Sequence, residues 1–433
     1  MPLFLSIIVK IHDFSCFIQI FALNLRKISR TIIMDVDFNV ALAEVVEPLV
    51  REKFEYDGLT TFQQLYQEKK KSLGLSDTQI QKMLKIDRQT LKPILEGNAK
   101  RINFLSMLKL ASFLGISVDN LAKTYVPQMD REVISELQNA REGSFIAEYF
   151  DVPRLTKMSF FQKDSTAHEM AHKIMSFFKL ARLQDYADKK YEAALSRTKR
   201  DSNRLMKMFW LKSAETQFKN IPNPNGFNRK KLVEILPRIK PYSRIIDTGL
   251  LTVAKALFQC GVIVIFQPRI EGLQIRGATM IIDHVPCVVL SDNKKNYPTL
   301  WFALLHELYH VLYDFEKIEQ SVYHISDNEM ELWLPNEEKA DRFALEFFLS
   351  EEKYQFISAY IGSNFKVQQF AQKCFIHPSI IYARYCMDHG NWQFYQKYIP
   401  DMKGAIELLN THPFENESIM ESVEKIKEEV FNI

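Results

Sequence analysis

Apolar positions in residues 59–126 recur three and four apart, separated by short polar stretches. That period predicts short amphipathic helices, because residues i, i+3 and i+4 share one helix face. Start and stop signals place helices at 60–71, 77–84 behind Ser76, 88–96 behind Asp87, 103–114 and 118–124, with Gly97 ending the third. Ile80, Leu84, Ile86, Leu91, Ile94, Leu108, Ala111, Phe113, Leu114, Ile116 and Leu121 would close one small core. Residues 127–240 read as a helical connector, anchored by Phe177-Phe178 and Met208-Phe209-Trp210-Leu211, with a charged, solvated helix at 189–207. Pro222-Asn223-Pro224-Asn225-Gly226 then breaks any helix. Beyond it the period changes. Residues 250–259 predict an amphipathic helix, 262–267 a buried strand, and 278–282 with 285–290 a hairpin turning at Asp283-His284. Asn296 and Pro298 open a further helix, apolar on nearly every side. Helices with a few strands between them give an α+β class.

Polar residues interrupt that last helix in one place, as His306-Glu307-Leu308-Tyr309-His310. Residues four apart lie on one helix face, about 6 Å apart along the axis. Two such imidazoles can hold one Zn²⁺, with the intervening Glu307 as general base for the attacking water. A catalytic site needs a third ligand. Glu337 and Asp341 lie four apart downstream, so one carboxylate could bind the ion and the other orient a ligand histidine. The expected ligands are His306, His310 and Glu337, with Asp341 behind them. The same five-residue pattern occurs at His168-Glu169-Met170-Ala171-His172, but there Lys163-Asp164-Ser165-Thr166-Ala167 reads as a solvated helix start. No carboxylate pair follows that copy, so it is expected to be an exposed helix. His284, His324, His389 and His412 are expected to be surface or packing residues.

Charge changes the picture of the first helical unit. Residues 59–126 hold 11 Lys and Arg against 5 Asp and Glu, 11 − 5 = +6, in a chain of net charge +3. A basic unit with two short helices across a tight turn fits contact with DNA phosphates. The stretch Leu75-Ser76-Asp77-Thr78-Gln79, Ile86-Asp87-Arg88-Gln89-Thr90-Leu91 and Leu108-Lys109-Leu110-Ala111 resembles a Cro-like, phage-repressor-type helix-turn-helix. The resemblance implies that Gln79, Arg88, Gln89, Thr90 and Lys92 face DNA. Pro93 departs from it, removing a backbone donor inside the recognition helix, where a kink is expected. A helical bundle serving for homodimerisation or partner binding is the alternative.

The later region resembles the ImmA/IrrE family of zinc metallopeptidases, on Leu305-His306-Glu307-Leu308-Tyr309-His310, Glu337 with Ala340-Asp341 and Phe343-Ala344, and Ile376-His377-Pro378-Ser379. Tyr309 stands where glycine is usual, and Ser350 where proline is common. The resemblance implies a minimal gluzincin-like domain joined to a helix-turn-helix, acting on a protein substrate such as a repressor. His377, Tyr382 and Arg384 are candidates for stabilising the oxyanion. The expected organisation is an extension at 1–33, a helix-turn-helix domain at 34–126, the connector at 127–240, the peptidase domain at 241–395 and a helical tail at 396–433. A transcription regulator that uses zinc for sensing, without proteolysis, is the rival reading. Five scattered cysteines without a C-x-x-C pair point to a reducing, cytoplasmic compartment. Lys10, His12 and Asp13 interrupt the apolar stretches of the extension, so stable membrane insertion is not expected.

Overall fold

The computed structural model describes residues 61–97, 99, 101–117, 120–121, 131–187, 203–293, 295–321, 323–327 and 336–433. The extension at 1–33, most of the helix expected at 118–124 and most of the one at 189–207 lie outside these residues. The chain divides into two compact units, residues 1–137 and 138–433.

The first unit carries α1 (Phe62–Leu73), α2 (Asp77–Leu84), α3 (Arg88–Leu95) and α4 (Phe104–Leu114). Each begins at a side chain that accepts an otherwise unmet backbone N–H: Thr61, Ser76, Asp87 and Asn103. Gly74 and Gly115 end α1 and α4 in the left-handed conformation. Lys85 takes the same conformation, at φ 50°, and turns α2 into α3. Ile80, Ile86, Leu91, Ile94, Ala111, Ile116 and Leu121 are buried, while Leu84, Leu108, Phe113 and Leu114 pack at the margin. Phe62, Tyr66, Met107 and Leu110 complete the core. α3 runs through Pro93.

In the second unit, α5 (Arg131–Tyr149, from Gln138 on), α6 (Val152–Lys157), α7 (Ala167–Phe178) and α8 (Arg204–Lys219) precede α9 (Arg229–Ile239) and α10 (Gly249–Phe258). Three strands follow: β1 (Ile263–Phe266), β2 (Ile275–Ile282) and β3 (Val285–Leu290). Asp283 and His284 both have positive φ, 50° and 63°, which a two-residue hairpin turn requires. Next come α11 (Tyr297–Tyr313), α12 (Phe315–Ser321), β4 (Tyr323–Asp327), α13 (Glu337–Phe348), α14 (Glu351–Ser358), α15 (Asn364–Lys373) and α16 (Pro378–His389). The sheet order is β1-β3-β2-β4, with β1 parallel to β3 and the other pairs antiparallel. The architecture is mixed α and β, mostly helical around one small sheet.

The expected divisions at 240 and 395 do not separate cores. One apolar cluster runs from Ile146 through Trp210, the sheet and α11 to Phe431. Phe160, Phe177 and Phe209 meet edge to face or stacked, and Phe258 stacks on Phe431 at 4.0 Å. Aromatic side chains of residues 127–240 and 396–433 thus pack into the same core as residues 241–395. Among the described residues no helix is long and apolar enough to cross a membrane.

Candidate metal centre

Helix α11 is fixed before its chemistry begins. Asn296 caps it, Pro298 sits in its first turn, and buried side chains line it from Tyr297 to Leu312. Its polar trio is therefore inside: His306 is 3 % exposed, and Glu307 and His310 are not exposed at all. α13 packs beside it, with Ala340, Ala344 and Phe348 buried and Phe348 edge-on to Trp301 and Phe302. The small alanines let the helices approach, and Glu337 reaches the two histidines.

The geometry can hold a metal ion. His306 Nε2 lies 3.2 Å from His310 Nε2, and Glu337 oxygens stand 3.3 and 3.1 Å from these nitrogens. The ligand atoms of His306, His310 and Glu337 all lie within 4.8 Å of one another. Each imidazole gives its other nitrogen to a carboxylate: His306 Nδ1 to Asp341 at 2.9 Å, His310 Nδ1 to Asp314 at 3.0 Å. Those acceptors require N–H on Nδ1, so in the neutral rings both Nε2 lone pairs point at each other and at Glu337. Such a convergence is repulsive unless a positive charge sits within it. Without an ion the positive charge is a proton. Burial opposes charging His306, but its bonds to Asp341 and Glu337 and the charge of Glu307 outweigh burial and push its pKa up to about 9. His310 is raised the same way, against burial, by Asp314, Glu337 and Glu307. Burial alone would raise Glu337, yet His306, His310 and His324 hold it far below the carboxylate range. Two imidazoles and a carboxylate, backed by carboxylates, are a donor set that fits Zn²⁺.

Glu307 points to the sheet side of the same centre. Its Oε2 accepts from Thr279 Oγ1 at 2.7 Å, and its Oε1 is buried with no hydrogen-bond partner. Gly277 makes room for that oxygen, because a Cβ there would come within 2.7 Å of it. A buried carboxylate oxygen left open is costly in a finished core and is what a proton acceptor needs.

Besides Thr279, three partners at the centre are not among the residues singled out from the sequence. Asp314 was legible, being four residues after His310 on the same helix. Asn336 Nδ2 donates to Asp314 at 2.7 Å, and nothing local marks that contact. The third is His324, expected as a surface or packing residue. It lies on β4 with Nε2 2.8 Å from Glu337 Oε1 and its ring 4.4 Å from that of His310. Only the β2–β4 pairing brings it there.

The remaining expectations separate. At the 168 copy, Glu169 bonds back to Thr166 as the capping partner of α7, and His168 and His172 are exposed. That is the solvated helix start expected. His377 caps α16, its Nδ1 accepting from the Ser379 backbone, and Tyr297 meets its ring edge-on. Tyr382 donates to Asn364 and stacks on Tyr395 and Tyr398. Arg384 bonds the Leu349 carbonyl and Glu351 and lies over Tyr354. These contacts give all three packing or capping work. In the first unit Arg88, Gln89 and Lys92 are exposed on α3. Gln79 is engaged with Ser76 in a capping box, and the Thr90 hydroxyl bonds Asp87. Those two side chains must first leave these bonds to reach a nucleic acid.

Comparison with known proteins adds no relative to this geometry: no family model matches the chain, and no curated protein or solved structure matches it either.

Proposed function

We propose that this chain is a zinc-dependent peptidase joined to a DNA-binding helical unit, acting on a protein substrate. One observation carries the reading: two buried imidazole lone pairs and Glu337 converge beside a buried carboxylate oxygen of Glu307 that has no partner. A centre that only stabilises the fold has no use for that oxygen. His306, His310 and Glu337 would hold the ion, and Asp341 and Asp314 would fix the two rings. When bound, zinc supplies Lewis acidity toward the scissile carbonyl. Glu307 Oε1 takes the proton from the attacking water as its oxygen bonds to the carbonyl carbon. Glu307 then returns that proton to the departing amide nitrogen as the C–N bond breaks. Thr279 keeps Oε2 occupied, so that Oε1 does this work. β4 is an edge of the sheet, and an extended peptide can add to it through main-chain hydrogen bonds.

The test uses the full chain, a proteome-derived peptide library and measured metal content. Wild type binds one zinc per chain and cleaves. Glu307→Gln keeps the zinc and loses cleavage, whereas Glu337→Ala loses the zinc. Unchanged cleavage in Glu307→Gln would remove Glu307 from its role. Zinc binding without cleavage by wild type would favour the regulator that senses rather than cuts.

DNA binding rests on the excess of 11 basic over 5 acidic residues in 59–126 and on the exposed Arg88, Gln89 and Lys92 of α3. Binding to duplex should weaken steeply with salt. Arg88→Ala or Lys92→Ala should each reduce the log–log slope by about one if the side chain meets a phosphate. Salt-independent or absent binding returns the unit to a protein-contact role.

A further inference from the structure

We propose that His324 is a positioning residue, which holds the Glu337 carboxylate for the metal ion without binding the ion itself. The inference rests on the zinc reading above and deepens it. His324 Nε2 lies 2.8 Å from Glu337 Oε1, closer than His310 Nε2 at 3.1 Å or His306 Nε2 at 3.3 Å to their nearer oxygens. A neutral imidazole bonded to a carboxylate presents N–H to it, so Nε2 has no lone pair to offer a metal. The ligand atoms within 4.8 Å of one another belong to His306, His310 and Glu337, and His324 is not among them. It meets Glu337 on Oε1, the oxygen that also faces His310 Nε2, without joining the set of three.

The sheet explains why it stands there. His324 of β4 is the register partner of Thr279 of β2, and directly paired residues share a sheet face. Thr279 bonds Glu307, and His324 bonds Glu337. One rung of the sheet thus holds both carboxylates of the centre, the proton acceptor and the ligand. Only 12 % of the His324 side chain is exposed, so the ring cannot swing freely away from that bond. A fourth ligand would close a tetrahedral site and leave no position for a substrate oxygen. A donor to Glu337 that is not itself a ligand keeps the position open.

The experiment compares full-length wild type, His324→Phe and His324→Gln by zinc competition against a chromophoric chelator and by the visible spectrum of the Co²⁺-loaded protein. Phenylalanine fills the ring volume without an N–H, and glutamine restores a donor of similar reach. His324→Phe should weaken zinc binding about 10- to 100-fold, as loss of a ligand's hydrogen-bond partner does. It should still take one ion, with the Co²⁺ band of wild type, and His324→Gln should recover most of the affinity. Wild-type affinity in His324→Phe overturns the proposal. Equal losses in both variants mean that the donor to Glu337 is not what sets the affinity, and a changed Co²⁺ band means that the ring is a ligand; either result overturns it. If wild type and His306→Ala both leave zinc with the chelator, the zinc reading itself has failed and this inference falls with it.

Discussion

At the scale of single residues, two positions decide how the centre works. Gly277 is one. A methyl group there would meet Glu307 Oε1 at 2.7 Å and the Val289 carbonyl oxygen at 3.0 Å. The strand backbone cannot yield, so the carboxylate must. Gly277→Ala is therefore expected to keep zinc content and to cut cleavage by about 100-fold, the cost of a reacting group displaced by roughly 1 Å. Equal turnover by Gly277→Ala and wild type would show that the close approach is incidental. His306 is the other. In the ion-free protein it holds its proton up to about pH 9, whereas zinc takes only the neutral ring. Binding near pH 7 should release at least one proton, and apparent affinity should rise with pH up to about 9. Calorimetry in two buffers of different ionisation enthalpy reads the release as a difference in heat; identical heats contradict it. The linked stability has a definite sign. The raised pKa stabilises the ion-free fold fully below the ordinary 6.5, and this contribution is lost as pH rises through about 9.

At the scale of elements, capping and period made the helices of the first unit and α10 and α11 legible. Ser76, Asp87 and Asn103 cap α2, α3 and α4 as their chemistry requires, and Asn296 with Pro298 opens α11. The 278–282 and 285–290 strands turn at Asp283-His284 as expected, with β2 beginning earlier, at Ile275. β4 was not legible. Tyr323–Asp327 is short and follows a helix closely, and its place beside β2 comes from pairing with residues more than forty positions earlier. Pro93 is the local anomaly, because α3 continues through a residue that cannot donate to the Gln89 carbonyl. Pro93→Ala should restore that bond and stabilise the first unit by about 1–3 kcal/mol. A lower melting temperature for that unit would instead show that the ring's packing outweighs the missing bond.

At the scale of the whole molecule, two separate apolar cores imply two separate responses to metal. The proposed ligands His306, His310 and Glu337 all lie in the unit of residues 138–433, and the unit of residues 1–137 carries none of them. Zinc at about 100 times its dissociation constant should stabilise the unit that holds the site by about 2.7 kcal/mol. Calorimetry should show the chelator lowering one transition and leaving the other in place. Both transitions moving together would mean that the units unfold as one. Residues 127–240 and 396–433 also join residues 241–395 in a single core, so removing either side should cost stability well beyond the residues removed. Composition could not show this. Phe209 and Phe431 are ordinary apolar residues in the sequence, and only packing reveals that they close over the same core.

What is local could be read from consecutive residues: the helix that sets His306 and His310 four apart, the carboxylate pair Glu337 and Asp341, and the helix starts at Ser76, Asp87 and Asn296. All depend on spacings within one or two turns. Tertiary structure decided the direction of each second contact. It turned Asp341 to His306, brought Thr279 and Gly277 against Glu307, and placed His324 against Glu337. It also gave His377, Tyr382 and Arg384 packing or capping work. The physical reason is one of range. A helical spacing is written in consecutive residues, whereas a rung between β2 and β4 joins residues 45 positions apart, and only the packed sheet fixes which of them meet.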